Sequence, residues 1–380
     1  MRYILAAILA FFQLLTGQAQ SAADISGTWT AELHNAKVFL QIRTAPPAEW
    51  NGDRRNGDWN IGQAVAADDF AGLPASDDRL TAEQITFELH REAGTLAFQG
   101  SFRDGRGAGL FTFVPRVQFL AEMNAIGYAG DLPLWRRFQL AVHDVGPTYI
   151  GAMNAEGYRG LTLDQAQRAK SHGVTIAYVK AMKAEGYTVA AIDDIVRTRD
   201  HGVTPEYVQG MRQAGFKDVP LADLVRAKDH GVTPEFVQEL RVQGIAAPTL
   251  DAWVRLRDHG VRAAYITELR GSGYDKLSPE QLVRLHDHGV NAELIRGLSA
   301  QGFRNLPIED VVRARDHGVS ADYIADMQGL GLKDLTLEQI VRLHDHGVTP
   351  GFVSHVRAQG FKEDTAEGLI ELKNHGTWRR

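Results

Sequence analysis

The chain of 380 residues contains no cysteine. This excludes disulfide staples, thiolate metal sites, a cysteine nucleophile and lipid attachment through a thiol. Stability must come from packing alone, and roughly 350 residues beyond an N-terminal leader are enough for a core. An excess of positive charge is also missing, because 41 Lys and Arg face 47 Asp and Glu for a net charge of −6. That balance argues against nucleic acid as a partner and against an anionic membrane surface. After Leu15 no apolar run approaches the length of a membrane-spanning helix. Catalytic signatures are absent: there is no His-Glu-x-x-His, no Gly-x-Ser-x-Gly and no phosphate loop. Gly105-Arg106-Gly107-Ala108-Gly109 has the glycines of a phosphate loop but opens a strand, so the helix end that would hold an anion is missing. These absences point to a protein that is not an enzyme, with no catalytic residues, cofactor or metal.

What is present begins with an address. Arg2 precedes an apolar stretch from Tyr3 to Leu15, interrupted by Gln13 alone, and Gly17-Gln18-Ala19 or Ser21-Ala22-Ala23 offers small residues for cleavage. Residues 1–23 read as a secretory signal peptide, with an uncleaved anchor as the alternative. The expectation is an exported bacterial protein, periplasmic or extracellular, without stable membrane insertion after cleavage.

Two compositions meet near Pro115. Before it, hydrophobicity alternates with period two, predicting strands at Ile25–Leu33, Lys37–Thr44, Ile85–Arg91, Thr95–Arg103 and Gly107–Val114, with one more around Trp59. Phe98 and Phe102 fall on one side of a strand, as do Phe111 and Phe113. Glu92-Ala93-Gly94 and Asp104-Gly105 are hairpin turns. The connection between residues 45 and 80 carries Asp53, Asp58, Asp68, Asp69, Asp77 and Asp78, read as solvated loop acids.

After Pro115 one unit of 29 residues recurs nine times. His143, His172, His201, His230, His259, His288, His317, His346 and His375 mark it. A fixed period of this length signals a stacked array. Thr204, Thr233 and Thr349, each followed by Pro, are N-caps of the first helix of a unit. Thr162 with Gln165, Ser278 with Gln281 and Thr336 with Gln339 are capping boxes for the second. Gly215 and Gly318 end helices. The fold class is therefore α+β, mostly α: a small antiparallel β-domain over 24–115, followed by an α-solenoid of nine two-helix repeats over 117–380. The shifted first unit (Gly127 to His143) and Glu371 in the last suit terminal caps.

Repeated polar positions are the candidate sites. His next to the terminating Gly reads as a helix cap that donates to free carbonyls. Arg168, Arg197, Arg226, Arg255, Arg284, Arg313 and Arg342 share one position, and Asp200, Asp229, Asp258, Asp287, Asp316 and Asp345 follow three residues after an arginine. An acid near a helix C-terminus is disfavoured by the dipole. Arg of its own turn, or the N-terminus of the next helix, is expected to compensate it. The set reads as a structural ladder of charge pairs joining repeats, with an Arg-lined face for carboxylate or phosphate as the functional alternative. The stripe Tyr149, Tyr178, Tyr207, Phe236, Tyr265, Tyr323 and Phe352 reads as core.

His-Gly-Val-Thr-Pro-Glu-Tyr-Val at 201–208 and Leu-Thr-Leu-Glu-Gln-Ile-Val-Arg-Leu at 335–343 resemble the helical repeats attached to BlaR1-like metallopeptidases and found in uncharacterised exported bacterial proteins. Residues 103–113 are similar to the β-segment that precedes those repeats. The resemblance covers most of residues 24–380 and implies a sensory or interaction module. The peptidase half, with its zinc motif and membrane helices, is missing, so nothing catalytic is carried over. Gly27-Thr28-Trp29 is also similar to the Gly-x-Trp of lipocalins, although about 90 residues are few for an eight-stranded barrel.

The expected function is protein or peptide binding by the solenoid surface, with exposed positions such as Glu206, Gln209, Glu235 and Gln238 carrying specificity. The alternatives are an envelope sensor that binds a small ligand or cell-wall fragment through the β-domain and, more remotely, a hydrolase.

Overall fold

A computed structural model describes residues 25–47, 58–74, 78–128, 130–188 and 191–376. The signal peptide expected at 1–23, with Asp53 and Asp77, lies outside them. Among the described residues seven strands form one antiparallel sheet: β1 (Ile25–His34), β2 (Lys37–Thr44), β3 (Trp59–Ala66), β4 (Phe70–Ala71), β5 (Ala82–Arg91), β6 (Gly94–Arg103) and β7 (Arg106–Pro115). Their order is β3-β2-β1-β7-β6-β5-β4. The period-two pattern sets which face is buried. Trp29, Ala31 and Leu33 of β1 face inward beside Val38, Leu40 and Ile42 of β2. Phe98 and Phe102 share the inner face of β6, and Phe111 and Phe113 that of β7, as their spacing predicts. Several of the inner-face aromatics sit opposite another ring or a glycine. Phe98 pairs with Phe87 and Phe111, and Trp29 lies over Gly100, where an added Cβ would come within 2.7 Å of the indole.

Eighteen helices follow among the described residues. The first helices of the repeats are α1 (Phe119–Ala125), α3 (Pro147–Ala155), α5 (Ile176–Ala184), α7 (Pro205–Gln213), α9 (Pro234–Val242), α11 (Ala263–Arg270), α13 (Ala292–Ala300), α15 (Ala321–Gly329) and α17 (Pro350–Ala358). The second helices are α2 (Leu134–Val142), α4 (Leu163–Ser171), α6 (Ile192–Asp200), α8 (Leu221–Asp229), α10 (Leu250–Asp258), α12 (Pro279–Asp287), α14 (Ile308–Asp316), α16 (Leu337–Asp345) and α18 (Ala366–His375). The fold is α+β, mostly α, with nine two-helix repeats after the sheet.

The local signals explain the helix limits. Thr204, Thr233 and Thr349 accept from the backbone N–H three residues on, and all three expected capping boxes form. Gly215 and Gly318 adopt φ of +89° and +71°, which only glycine reaches without strain. Helices of seven to ten residues are too short to persist in isolation, so each depends on neighbours.

The chain divides into two compact units, residues 1–180 with 189–197, and 181–188 with 198–380. In the first, α2 packs against β1, β6 and β7. Its fully buried Phe138 stacks on Phe111 at 5.8 Å and meets Phe113 and Trp59. The turn after β5 is bound to the first repeats as well: Glu92 accepts from the backbone N–H and hydroxyl of Thr148, and Arg91 and Lys170 both pair with Asp144. Asp144 stands where later repeats carry the glycine after His, and it too has positive φ. In the second unit, each second helix from α8 to α16 packs on the next second helix. The buried residues of both helix rows form its core, including Trp253, Leu256, Leu285 and Leu343.

The sheet is open among the described residues, with β3 pairing only β2 and β4 only β5. The likeness to a lipocalin barrel ends at Gly27 and Trp29, where the indole N–H donates to the carbonyls of Gln99 and Leu110.

Candidate functional site

The repeated polar residues fall into separate ladders, and the arginine and aspartate of one turn do not bond each other. The aspartate serves the histidine of the preceding repeat. His201, His230, His259, His288 and His317 donate from Nδ1 to Asp229, Asp258, Asp287, Asp316 and Asp345 at 2.7–2.8 Å. A carboxylate only accepts, so the ring proton sits on Nδ1. This corrects two expectations, that the histidine side chain caps its own helix and that the aspartate is compensated by its own arginine or by the next helix N-terminus. The C-cap position directs the imidazole across to the following repeat, a bond whose partner is 28 residues away.

The arginines reach the other end of the next second helix. Arg168 bonds Asp193 at 2.9 Å, Arg226 pairs with Asp251, Arg284 holds Glu309 with two nitrogens, and Arg342 bonds Glu367 at 2.7 Å. The acid lies in the first helical turn, where the dipole favours negative charge. Arg197 has Ala222 at the matching position, and neither it nor Arg313 makes an ion pair among the described residues. Arg255 lies near Glu280, whose carboxylate accepts from Ser278. Asp200 is exposed at the end of α6. Most rungs are half-exposed pairs, each worth about 0–1 kcal/mol.

Two further ladders escape the sequence reading. On the first helices, Arg212, Arg241, Arg270, Gln328 and Arg357 donate to the carbonyl of the residue that caps the preceding first helix, at Glu185, Ala214, Gln243, Gln301 and Leu330. Their recurrence at one repeat position was the available signal. The aromatic stripe is core, but Tyr149, Tyr207, Tyr265 and Tyr323 also donate to the carbonyls of Val174, Val232, Val290 and Val348. Burial pushes the Tyr149 and Tyr323 hydroxyls up to about 12 and also raises those of Tyr207 and Tyr265.

Little of the first-helix surface is consumed by these bonds. Between α7 and α9, extending to the start of α11, lies an open groove of about 980 Å³. Glu206, Gln213, Glu235, Gln238, Glu239 and Val242 line it, and Pro234 closes its floor against Gly210. Val242 is 71% exposed, a large apolar side chain in a polar rim. The carboxyls of Glu206 and Glu235 are held below the usual range by their own backbone N–H and by the capping hydroxyls of Thr204 and Thr233. Three of the four expected specificity positions, Glu206, Glu235 and Gln238, line the groove; Gln209 is exposed beside it. Two of the loop acids of the β-domain have structural partners: Asp69 pairs with Arg91, and Asp78 accepts from the Asn35 backbone. The glycines of Gly105–Gly109 make room for strand packing, since a Cβ at Gly107 would meet the Phe102 ring.

No protein-family model matches the chain, and no curated protein is similar to it.

Proposed function

We propose that the chain is an exported, non-catalytic interaction protein whose first-helix surface binds a protein or peptide. The groove between α7 and α9 carries this reading. Most of the repeated histidines, aspartates, arginines and tyrosines are engaged in bonds between repeats, whereas Glu206, Gln209, Glu235, Gln238 and Val242 stand on exposed helix positions. A mixed surface of amides, acids and one apolar side chain suits an extended peptide better than a small molecule, which favours a more enclosed apolar cavity. The apolar stretch at 3–15 supports export.

The test compares the full mature chain with a Gln238→Arg, Val242→Asp double variant, both immobilised and exposed to the native envelope fraction. The expected result is one dominant partner held by the wild type and lost from the variant, with both melting at the same temperature. Equal capture by both removes the groove from the binding surface.

A further inference from the structure

Two positions of the ladder on the first helices carry a short side chain, and a cavity adjoins each. Arg212, Arg241, Arg270, Gln328 and Arg357 fill the notch above the preceding helix end. At Arg241 the guanidinium also lies 5.6 Å from the centre of the Phe216 ring, the aromatic that follows the helix-ending glycine. The same repeat position holds Asn154 in α3 and Ser299 in α13, side chains too short for this span. A cavity of about 660 Å³ adjoins Asn154, and one of about 170 Å³ adjoins Ser299.

The Asn154 notch retains the acceptors that a guanidinium would satisfy. The Ile126 carbonyl, equivalent to those of Ala214 and Gln243, accepts no hydrogen bond among the described residues. Asn154 Oδ1 is buried without a hydrogen-bond partner among the described residues. A buried acceptor left unpaired is costly, so a donor that reaches it is favoured. Tyr128 occupies the place of Phe216, presents its ring to the cavity, and is fixed by its hydroxyl donating to the Leu161 carbonyl. Arg136 in the wall is already neutralised, bonding Asp164 at 2.5 Å and Gln167 at 2.7 Å. The Asp164 side chain is 89% exposed, which leaves its carboxylate able to face an incoming cation.

We propose that this notch is a binding site for an arginine side chain of a partner, which replaces in trans the guanidinium that later repeats supply in cis. The planar group stacks on the Tyr128 ring and donates to Ile126 O, and to Asn154 Oδ1 once the amide turns toward the cavity. An ammonium lacks both the plane and the fork of donors. The site is separate from the groove between α7 and α9 and stands without it.

The test is a titration of the full mature chain with N-acetyl-arginine amide, followed through the Asn154 side-chain amide and the Tyr128 ring by NMR. Saturable binding is expected, with the neutral isostere N-acetyl-citrulline amide at least about tenfold weaker. Asn154→Arg, which fills the notch from within, is expected to raise the melting temperature and weaken binding at least about tenfold. Asn154→Leu fills it without charge and is expected to weaken binding equally. Ser299→Arg should leave binding unchanged. No saturation, equal binding of the citrulline compound, wild-type affinity in both Asn154 variants, or loss of binding in Ser299→Arg would each overturn the assignment.

Discussion

The sheet region and the later repeats solve the same problem by opposite routes. In the sheet, rings far apart in sequence converge: Trp29 meets Phe87 edge-on at 5.2 Å and Phe98 at 6.0 Å, and Phe138 of α2 stacks on Phe111. In the repeats, polar bonds bridge separations of only 25–28 residues and recur at each step. Damage should therefore spread through the whole sheet core but stay near the altered repeat, as nearest-neighbour coupling requires.

The largest effect is expected from Trp29→Ala. It removes a buried indole, 1% exposed, together with its two hydrogen bonds, and should cost about 3–5 kcal/mol. Hydrogen exchange should show protection lost throughout β1, β2, β6 and β7 while α9 to α16 keep theirs. Leu285→Ala, at a fully buried site in α12, should cost about 2–5 kcal/mol. Here the lost protection should centre on α10, α12 and α14 and leave the sheet intact. Comparable loss in both regions after either substitution would erase the distinction.

Alkali should separate the regions without mutation. The sheet, residues 25–115, contains no tyrosine, whereas the ladder hydroxyls of Tyr149 and Tyr323 are raised from 10.0 to about 12. A folded pKa above the unfolded one means the unfolded chain loses its protons first. The stability these groups contribute is full below pH 10.0 and is lost as pH rises to about 12. Circular dichroism should therefore show helix loss in that window, and Tyr323→Phe should make the decline shallower.

The smallest effect belongs to a single histidine rung. The His259–Asp287 pair, with side chains 37% and 41% exposed, should give a coupling of about 0–1 kcal/mol in a double-mutant cycle. A coupling several times larger would make the rungs, not the apolar core, the main adhesive between repeats.

The contrast also decides what could be read in advance. The limits of β2, the six caps and boxes, and the inward pairs Phe98 with Phe102 and Phe111 with Phe113 follow from chemistry within a few residues. The strand β4 was hidden because two residues, Phe70 and Ala71, have no period to detect. The partners of the histidines were hidden for another reason. Their positions recur visibly, but only the offset between stacked helices determines that His259 meets Asp287 and that Arg284 meets Glu309. Asn154 and Ser299 were legible only as departures from a ladder whose purpose the bonded arginines reveal.

Site-specific photo-crosslinking in the native host tests the central functional claim most directly, with the reactive residue placed at Val242 in the groove or at Leu110 on the sheet. Both positions are well exposed, at 71% and 62%. One defined protein adduct is expected from position 242 and none from position 110. An adduct from position 110 alone, or none from either, would contradict binding through the repeat groove.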